Sequence, residues 1–305
     1  MKEITLRASA TIANFGPGFD IFALALDHPY DVITIRKNEA NSIHIKVKGM
    51  EETIPTEVEK NTAGVAAIDF FKKSGISSGI DIEIKKGIKP GAGLGASGAS
   101  AASCIYGLNK LFETGFGYED IIQTARQGEV ASGSVPHADN VAGCLFGGFI
   151  LIKDYFPVKV IKINPPEIPI VICVQKKPIS STRNRIPGQF GLTEVTRQMS
   201  FCASLVHALM SGDIEKIGTA VNHDLVSEPV RSRSIPQYRE IKAKVLEAGA
   251  YGCNVSGGGS SLFAICEKEK TEQIAEIFEG YSREKGFLGN VLITRSSRLG
   301  ITEVK

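Results

Sequence analysis

A glycine-rich loop is the segment of this 305-residue chain whose residue types point most directly to a chemistry. Four glycines lie between residues 91 and 98, after the alternating segment Ile80–Lys86, which predicts a strand, and before Ala99–Leu111, which predicts a helix. Glycines let the backbone turn tightly and bring its N–H groups close to a ligand. Ser97 is expected to cap the helix, whose N-terminus favours anions. The loop therefore predicts a phosphate-binding site.

Two familiar nucleotide loops fit this segment poorly. A P-loop needs Lys-Ser or Lys-Thr after its second glycine, and no lysine lies between Gly91 and Lys110. The spacing Gly93-x-Gly95-x-x-Gly98 satisfies the dinucleotide pattern, but that pattern expects an acidic residue after a second strand about 20 residues later. A turn-like segment occupies that position here, and the lysine strand, catalytic loop and D-F-G of protein kinases are absent from the sequence. A dinucleotide oxidoreductase stays a distant alternative.

The string Gly93-Leu-Gly-Ala-Ser97 resembles the G-L-G-S-S core of the GHMP small-molecule kinases. Three further segments resemble other motifs of that family, in the same order along the chain. They are Ala10–Asp20, in a form typical of the homoserine kinase branch, Ser134–Asn140, and the glycine-rich Ser256–Ala264. The resemblance covers residues 7 to 264, and four ordered motifs are far more specific than any one of them.

The coarse pattern of the chain is mixed α and β. Strands and helices interleave without regular βαβ spacing, which favours an α+β class, and the length favours two domains. The proline-rich segment Ile163–Pro169 suits a boundary. The resemblance implies a two-domain GHMP kinase fold, with an N-terminal nucleotide-binding domain over residues 1–160, similar to a ribosomal-protein fold, and a C-terminal ferredoxin-like domain over residues 161–305. The active site is expected between them.

The resemblance implies that the loop binds ATP and that Asn61 and Thr62 approach the adenine. Phosphoryl transfer depends mostly on positioning and charge neutralisation, which calls for Mg²⁺ and oxygen ligands. Ser97 and Glu129 match the family's Mg²⁺ residues. The expected nucleotide-binding residues of the loop are Pro90, Gly91, Ala92, Gly93, Leu94, Gly95, Ala96, Ser97 and Gly98.

The implied acceptor is L-homoserine, phosphorylated on its hydroxyl group. Asp20, with Asn14 nearby, is expected to bind the ammonium group. The resemblance implies that Arg231 and Arg185 bind the carboxylate, which a guanidinium can hold with two hydrogen bonds, and Arg183 remains an alternative to Arg185.

Two residues of the third segment complete the expected site. His137 and Asn140 match residues that contact the substrate and its hydroxyl, and they are expected to act in catalysis. No residue stands out as a strong general base, although Asp139 adjoins Asn140. We therefore expect catalysis by orientation, metal and loop amides.

Composition narrows the possible partners and surroundings. The net charge is +2, with 35 basic and 33 acidic residues well mixed along the chain, which argues against nucleic acid as a partner. Six cysteines occur singly, without a C-x-x-C pair, and indicate free thiols in the cytoplasm. No run approaches the ~20 apolar residues of a membrane span. A homodimer is usual for the branch. Another GHMP kinase with a different alcohol acceptor, or a non-catalytic nucleotide-binding regulator, remains an alternative.

Overall fold

The computed structural model describes residues 1–50, 54–132, 136–175, 183–258, 261–285 and 288–304. The described strands are β1 Glu3–Ala13, β2 Phe22–Asn38, β3 Ile43–Lys48, β4 Gly79–Lys85, β5 Phe149–Tyr155, β6 Val158–Ile163, β7 Pro169–Gln175, β8 Gly252–Ser256, β9 Ser261–Ile265, β10 Leu288–Arg295 and β11 Thr302–Glu303. The α-helices are α1 Thr62–Ser74, α2 Ala96–Phe112, α3 Tyr118–Ala125, α4 Asp139–Phe146, α5 Leu192–Ser211, α6 Ile214–Val221, α7 Glu228–Arg231, α8 Tyr238–Glu247 and α9 Thr271–Lys285.

The first sheet is built around the long strand β2. One edge of β2 pairs antiparallel with β1, with an irregularity between Ser9 and Thr11. Its other edge is shared by β4 and β5, which pair with different parts of the strand. β3 joins β4 in parallel, β6 joins β5, and β11 returns from the C-terminus to pair with β1. β2 therefore connects the elements on both sides of the phosphate loop.

The second sheet has the strand order β10-β7-β9-β8, and all its pairs are antiparallel. With helices between β7 and β8 and between β9 and β10, this is the βαββαβ arrangement of ferredoxin-like units. The expected α+β class is therefore confirmed.

The two sheets share a hydrophobic core beneath the first motif. Phe15 is fully buried and stacks on Phe263 of β9, with ring centroids 5.4 Å apart, and it meets Phe149 of β5 edge-on at 6.0 Å. Helix α2 lies in this core on a face of alanines, serines and glycines. Because these side chains are small, its backbone packs close to the first sheet. The division of the chain near residue 160 stays a prediction.

Several local expectations differ from the structure. Helix α2 begins at Ala96 after Gly95, which has a positive φ of 71°, so Ser97 lies inside the first turn and is not the N-cap. The sequence pattern of residues 118–131 predicts one helix. In the structure, α3 ends at Ala125 and the chain continues as a 3-10 helix over Arg126–Ser132. In this 3-10 helix, Gly128 packs directly on α1. A side chain does not fit there, because its Cβ would lie 2.3 Å from the Thr62 carbonyl oxygen.

Other elements have no counterpart in the sequence patterns. The sequence pattern of residues 254–266 predicts a glycine turn followed by one strand, whereas the structure has a strand on each side of the turn, β8 and β9. Helix α4 and strand β6 were not expected, because both are short and lack a clear apolar period. Within the described part of the chain, no helix combines the length and apolar character that crossing a bilayer requires.

Candidate active site

The glycine loop is held from three sides by the elements around it. Thr11 of β1 donates its backbone N–H to the Leu94 carbonyl at 3.1 Å. The hydroxyl of Ser256 donates to the Gly93 carbonyl at 2.7 Å, and that of Ser261 donates to the Ala92 carbonyl at 2.5 Å. Contacts from both sheets therefore determine the shape of the loop.

Gly95 is a position in this loop that has no room for a side chain. Its φ is +71°, and a Cβ there would lie 2.1 Å from the Thr11 hydroxyl oxygen and 2.8 Å from Asn140 Oδ1. The Thr11 hydroxyl donates to the same Asn140 oxygen at 2.7 Å. Gly98 likewise leaves room for Asn140, because a Cβ added at Gly98 would lie 2.9 Å from the Asn140 Cβ. The glycines thus bring the loop into direct contact with Asn140.

A buried ion pair supports the start of helix α2. Lys86 pairs with Asp31, and its ammonium group also donates to the Ala96 carbonyl at 3.1 Å and to the Ser100 hydroxyl at 3.2 Å. Asp31 accepts two backbone N–H groups at 2.9 Å with its other oxygen. These hydrogen bonds offset the desolvation of the buried charges. Neither residue was singled out from the sequence, because the two are 55 positions apart and meet only when β2 pairs with β4.

A cavity of about 470 Å³ opens beside the loop and between the two sheets. Its lining includes the predicted nucleotide-binding residues Asn61, Thr62, Pro90, Gly91, Gly93, Gly95, Ala96 and Ser97. Ala92 and Leu94 do not line it. Both are at most 2 % exposed and belong to the core, because alternate loop residues face inwards, and Gly98 faces Asn140. Asn61 also caps α1, with its side-chain oxygen accepting from Ala63 N at 3.0 Å.

Two hard oxygen donors meet at the wall of this cavity. Ser97 donates its hydroxyl to Glu129 Oε2 at 3.1 Å. Glu129 is 5 % exposed, and burial raises the pKa of its carboxyl to about 7, against the lowering effect of the Ser97 hydrogen bond. No cluster of three metal-binding side chains occurs among the described residues. Mg²⁺ bound to a nucleotide needs only one or two protein ligands, so this donor set fits it.

The backbone of Asp20 is fixed by hydrogen bonds at both its N–H and its carbonyl group. Its φ is +64°, a conformation that L-residues rarely adopt. Its backbone N–H donates to Asn14 Oδ1 at 3.0 Å, and its carbonyl accepts from the Tyr155 hydroxyl. Asn14 itself is buried and reaches the Gly257 carbonyl at 3.4 Å. Asn14 thus contacts the Asp20 backbone, and the carboxylate of Asp20 is left to face the site.

The Asp20 carboxylate meets Arg183 and His137. Arg183 donates from Nη1 and Nη2 to the two carboxylate oxygens at 3.0 and 2.7 Å, and Nη1 lies 3.1 Å from His137 Nε2. Arg185 does not reach this cluster; it is exposed and donates to Ser234 at 3.3 Å. Both arginines lie on one 3-10 turn, where residues two apart face different directions, so only one of them can face Asp20. The structure therefore favours the alternative, Arg183.

Arg231 approaches the same cluster from helix α7. Its guanidinium carbon lies 5.4 Å from the centroid of the Phe19 ring, and that of Arg183 lies 5.3 Å from the same centroid. Arg231 is 5 % exposed. Two guanidinium groups thus flank one aromatic ring beside the Asp20 carboxylate, an arrangement that can receive an anion.

Helix α7 is short, and its position depends on two anchored carboxylates. Asp224 accepts the backbone N–H groups of residues 226, 227 and 228 at 2.8 to 3.0 Å. Glu228 accepts from Lys242 and from the Tyr238 hydroxyl, both at 2.6 Å. Lys242 and Glu228 are 16 % and 14 % exposed. The anchoring of Glu228 carried no sequence signal, because its partners lie on α8.

His137 and Asp139 have shifted acidities. Burial lowers the pKa of the His137 imidazole. The Asp20 carboxylate acts to raise this pKa, and the charges of three nearby arginines lower it further. Burial, then the Asp20 charge, raises the pKa of Asp139 to about 7. The Asp139 carboxylate accepts the backbone N–H of Asn140 at 2.8 Å. Asp139 therefore orients Asn140, the residue that packs against Gly95 and Gly98 of the loop.

Arg126 is a further residue that the motifs did not single out. It is 7 % exposed, and its guanidinium lies 5.6 Å from the Tyr155 ring centroid. Its Nε and Nη1 have no hydrogen-bond partner among the residues that the structure describes. It is one of the cations that act on His137. A larger, shallow groove of about 770 Å³ between α5 and α6 contains none of the predicted site residues among its described lining.

Some of the motif residues lie outside the described part of the chain. They are Ser134, Val135, Gly259 and Ser260. Ser181 and Thr182, which directly precede the candidate Arg183, also lie outside it.

Comparisons with known proteins agree on one family. Residues 61–148 match the model of the GHMP kinases N terminal domain, and residues 205–282 match GHMP kinases C terminal. Homoserine kinase of Methanococcus vannielii is 41 % identical over 282 residues, which cover 92 % of this chain and 93 % of that protein. The crystal structure of homoserine kinase from Cytophaga hutchinsonii superposes with a TM-score of 0.90 at 32 % identity, covering 100 % and 98 % of the two chains. L. major mevalonate kinase has the same fold, with a TM-score of 0.72 at 16 % identity over 95 % and 94 % of the chains.

Proposed function

The chain belongs to the GHMP kinase family, and we propose that it is a homoserine kinase, which transfers the γ-phosphoryl group of ATP to the hydroxyl of L-homoserine. The observation that carries this proposal is the position of the Asp20, Arg183 and Arg231 cluster. The cluster offers one anion and two cations to an acceptor. It is joined to the phosphate loop through residues 137–140, because His137 contacts Arg183 and Asp20 while Asn140 packs against the loop glycines. The relatives named homoserine kinase support the same acceptor.

The nucleotide is proposed to occupy the cavity beside the loop, with the adenine towards Asn61 and Thr62. Ser97 and Glu129 would hold Mg²⁺, which neutralises phosphate charge when bound. The loop amides and the N-terminus of α2 add a fixed positive potential for the phosphates. These groups stabilise the charge that spreads over the γ-phosphoryl oxygens during transfer.

The acceptor is proposed to bind as a zwitterion. Asp20 takes the ammonium group, whereas Arg231 and Arg183 take the carboxylate. Asn140 and His137 then orient the hydroxyl towards the loop. Its oxygen forms the new bond to phosphorus as the bond to ADP breaks, and its proton leaves late, to phosphate or water. Asp139 is turned onto the Asn140 backbone, which agrees with a mechanism that relies on orientation.

Further expectations about the protein stay proposals. They are a nucleotide-binding domain over residues 1–160, a ferredoxin-like domain over residues 161–305, a homodimer, a cytoplasmic location and no nucleic-acid or membrane partner. The mixed charge and the single cysteines support the last two.

Mg²⁺-dependent release of ADP with a panel of acceptors tests the proposed function. The panel is L-homoserine, L-threonine, L-serine, mevalonate and pantoate. Turnover confined to L-homoserine would support both the reaction and the acceptor site. Turnover on pantoate or mevalonate alone would keep the kinase but overturn the assignments of Asp20 and Arg231. Absence of turnover with every acceptor would overturn the kinase.

A further inference from the structure

One guanidinium group occupies the acceptor side of the site. Arg183 uses two nitrogens on the two oxygens of Asp20, and one of these nitrogens also meets His137. The Arg183 side chain is 34 % exposed, whereas those of Asp20 and His137 are 22 % and 17 % exposed. Arg183 therefore covers two more buried groups that are both proposed to contact the acceptor.

The contact with His137 determines its tautomer. Arginine has donors only, so His137 Nε2 must accept from Arg183 Nη1 at 3.1 Å. The proton of the neutral imidazole is then on Nδ1, which lies 3.5 Å from Asp20 Oδ1. The lone pair of Nε2, the atom that could accept a hydrogen bond from an acceptor hydroxyl, is used by Arg183.

We propose that Arg183 masks the acceptor site and that the carboxylate of the acceptor unmasks it. The inference rests on the proposed function. A carboxylate offers Arg183 a second bidentate partner next to Arg231, on the same Phe19 ring. When Arg183 turns to it, Asp20 is free for the ammonium group and His137 Nε2 is free for the hydroxyl.

Masking makes the two charges of the acceptor cooperate. A zwitterion replaces one internal ion pair, Arg183 with Asp20, by two ion pairs of its own. An acceptor with an ammonium group alone must compete with Arg183 for Asp20 and gives Arg183 nothing in return. The mask thus favours amino acids over simple amino alcohols. An acceptor without a carboxylate loses its own ion pair with arginine and must also displace Arg183 from Asp20.

Two acceptors and two variants test this mask. 3-Amino-1-propanol is homoserine without its carboxylate. Arg185→Met is the matched control for Arg183→Met, since Arg185 is exposed and donates to the Ser234 hydroxyl rather than to Asp20. In Arg183→Met, kcat/KM for L-homoserine should fall about 100-fold through loss of a bidentate pair. That for 3-amino-1-propanol should rise about tenfold, because its competitor for Asp20 is gone. Arg185→Met should change neither by more than about twofold.

The opposite signs of the two changes decide the outcome. If 3-amino-1-propanol is used equally well by wild type and Arg183→Met, Arg183 is a carboxylate ligand without a mask, and the proposal is wrong. If both acceptors lose activity together, Arg183 has a structural role, which also overturns it. Equal thermal midpoints of the two variants establish that both are folded.

A second readout needs no turnover. The charged groups that face His137 are Asp20, Arg183, Arg231 and Arg126. Removing Arg183 leaves the imidazole with the Asp20 carboxylate and frees Nε2, so the pKa of His137 should rise in Arg183→Met and stay unchanged in Arg185→Met. NMR of the imidazole C–H groups, assigned with His137→Asn, measures this in the ligand-free protein. An unchanged pKa in Arg183→Met would overturn the mask, whereas failure of wild type to use homoserine would overturn only the proposed function.

Discussion

Replacing Glu129 with glutamine should stabilise the metal-free protein above pH 7 while removing most of its activity. The Glu129 carboxyl is 5 % exposed, and burial raises its pKa from 4.5 to about 7. A pKa difference of one unit corresponds to about 1.36 kcal/mol, so this rise means that ionising Glu129 costs about 3 kcal/mol more in the folded than in the unfolded protein. Glutamine keeps the shape of the side chain and carries no charge, so it escapes this penalty.

The sign of the effect follows from the direction of the shift. A carboxyl whose pKa is higher in the folded than in the unfolded state destabilises the fold progressively as pH rises from 4.5 to about 7. The free energy of unfolding of Glu129→Gln should therefore exceed that of wild type by about 3 kcal/mol at pH 8, and this excess should vanish near pH 4.5.

Urea unfolding at pH 4.5, 6, 7 and 8, with Mg²⁺ chelated, measures this difference. Glu276→Gln, at an exposed position of α9, is the matched control and should follow wild type at every pH. Addition of Mg²⁺ and a non-hydrolysable ATP analogue should stabilise wild type more than Glu129→Gln, and kcat/KM of the variant should fall at least about 100-fold. A stability difference that does not change with pH would refute the reasoning, since the pKa of Glu129 would then be the same in the folded and unfolded protein.

Three other substitutions test separate parts of the site. Gly95→Ala places a Cβ 2.1 Å from the Thr11 hydroxyl and should lower kcat/KM for ADP release at least about 100-fold by displacing the loop. Asp139→Asn should reduce kcat by less than about 1000-fold, and a larger loss in steady-state assays would indicate a true general base. Lys242→Met leaves the Glu228 carboxylate poorly paired and should lower the free energy of unfolding in urea by about 3 kcal/mol while raising KM for L-homoserine; an unchanged KM would show that helix α7 does not depend on this pair.

Local patterns were sufficient for the elements whose partners are near in sequence. The phosphate loop follows a strand and precedes a helix as predicted, because glycine spacing and apolar period are properties of a short segment. The start of α2 was placed at the wrong residue, since Gly95 adopts a positive φ only in contact with Thr11 and Asn140. The α+β class followed from the same local patterns.

The acceptor site shows where such patterns end. Arg183 and Arg185 are two residues apart with the same chemistry, so the sequence alone left both open, and the family pattern favoured Arg185. The direction of one 3-10 turn brings Arg183 to Asp20, a residue 163 positions away, and turns Arg185 to the surface. Contacts over such separations depend on how the two sheets pack.

The sequence by itself determined the family, the phosphate loop and the candidate oxygen ligands, because these depend on residue type and spacing within single segments. Only the tertiary structure decided which arginine faces Asp20, which tautomer His137 adopts and how the buried Lys86–Asp31 pair supports helix α2. The physical reason is that charge pairing, burial and the resulting pKa shifts are properties of a neighbourhood in space. The residues of this neighbourhood come from both sheets and are joined only when the core around Phe15 is packed.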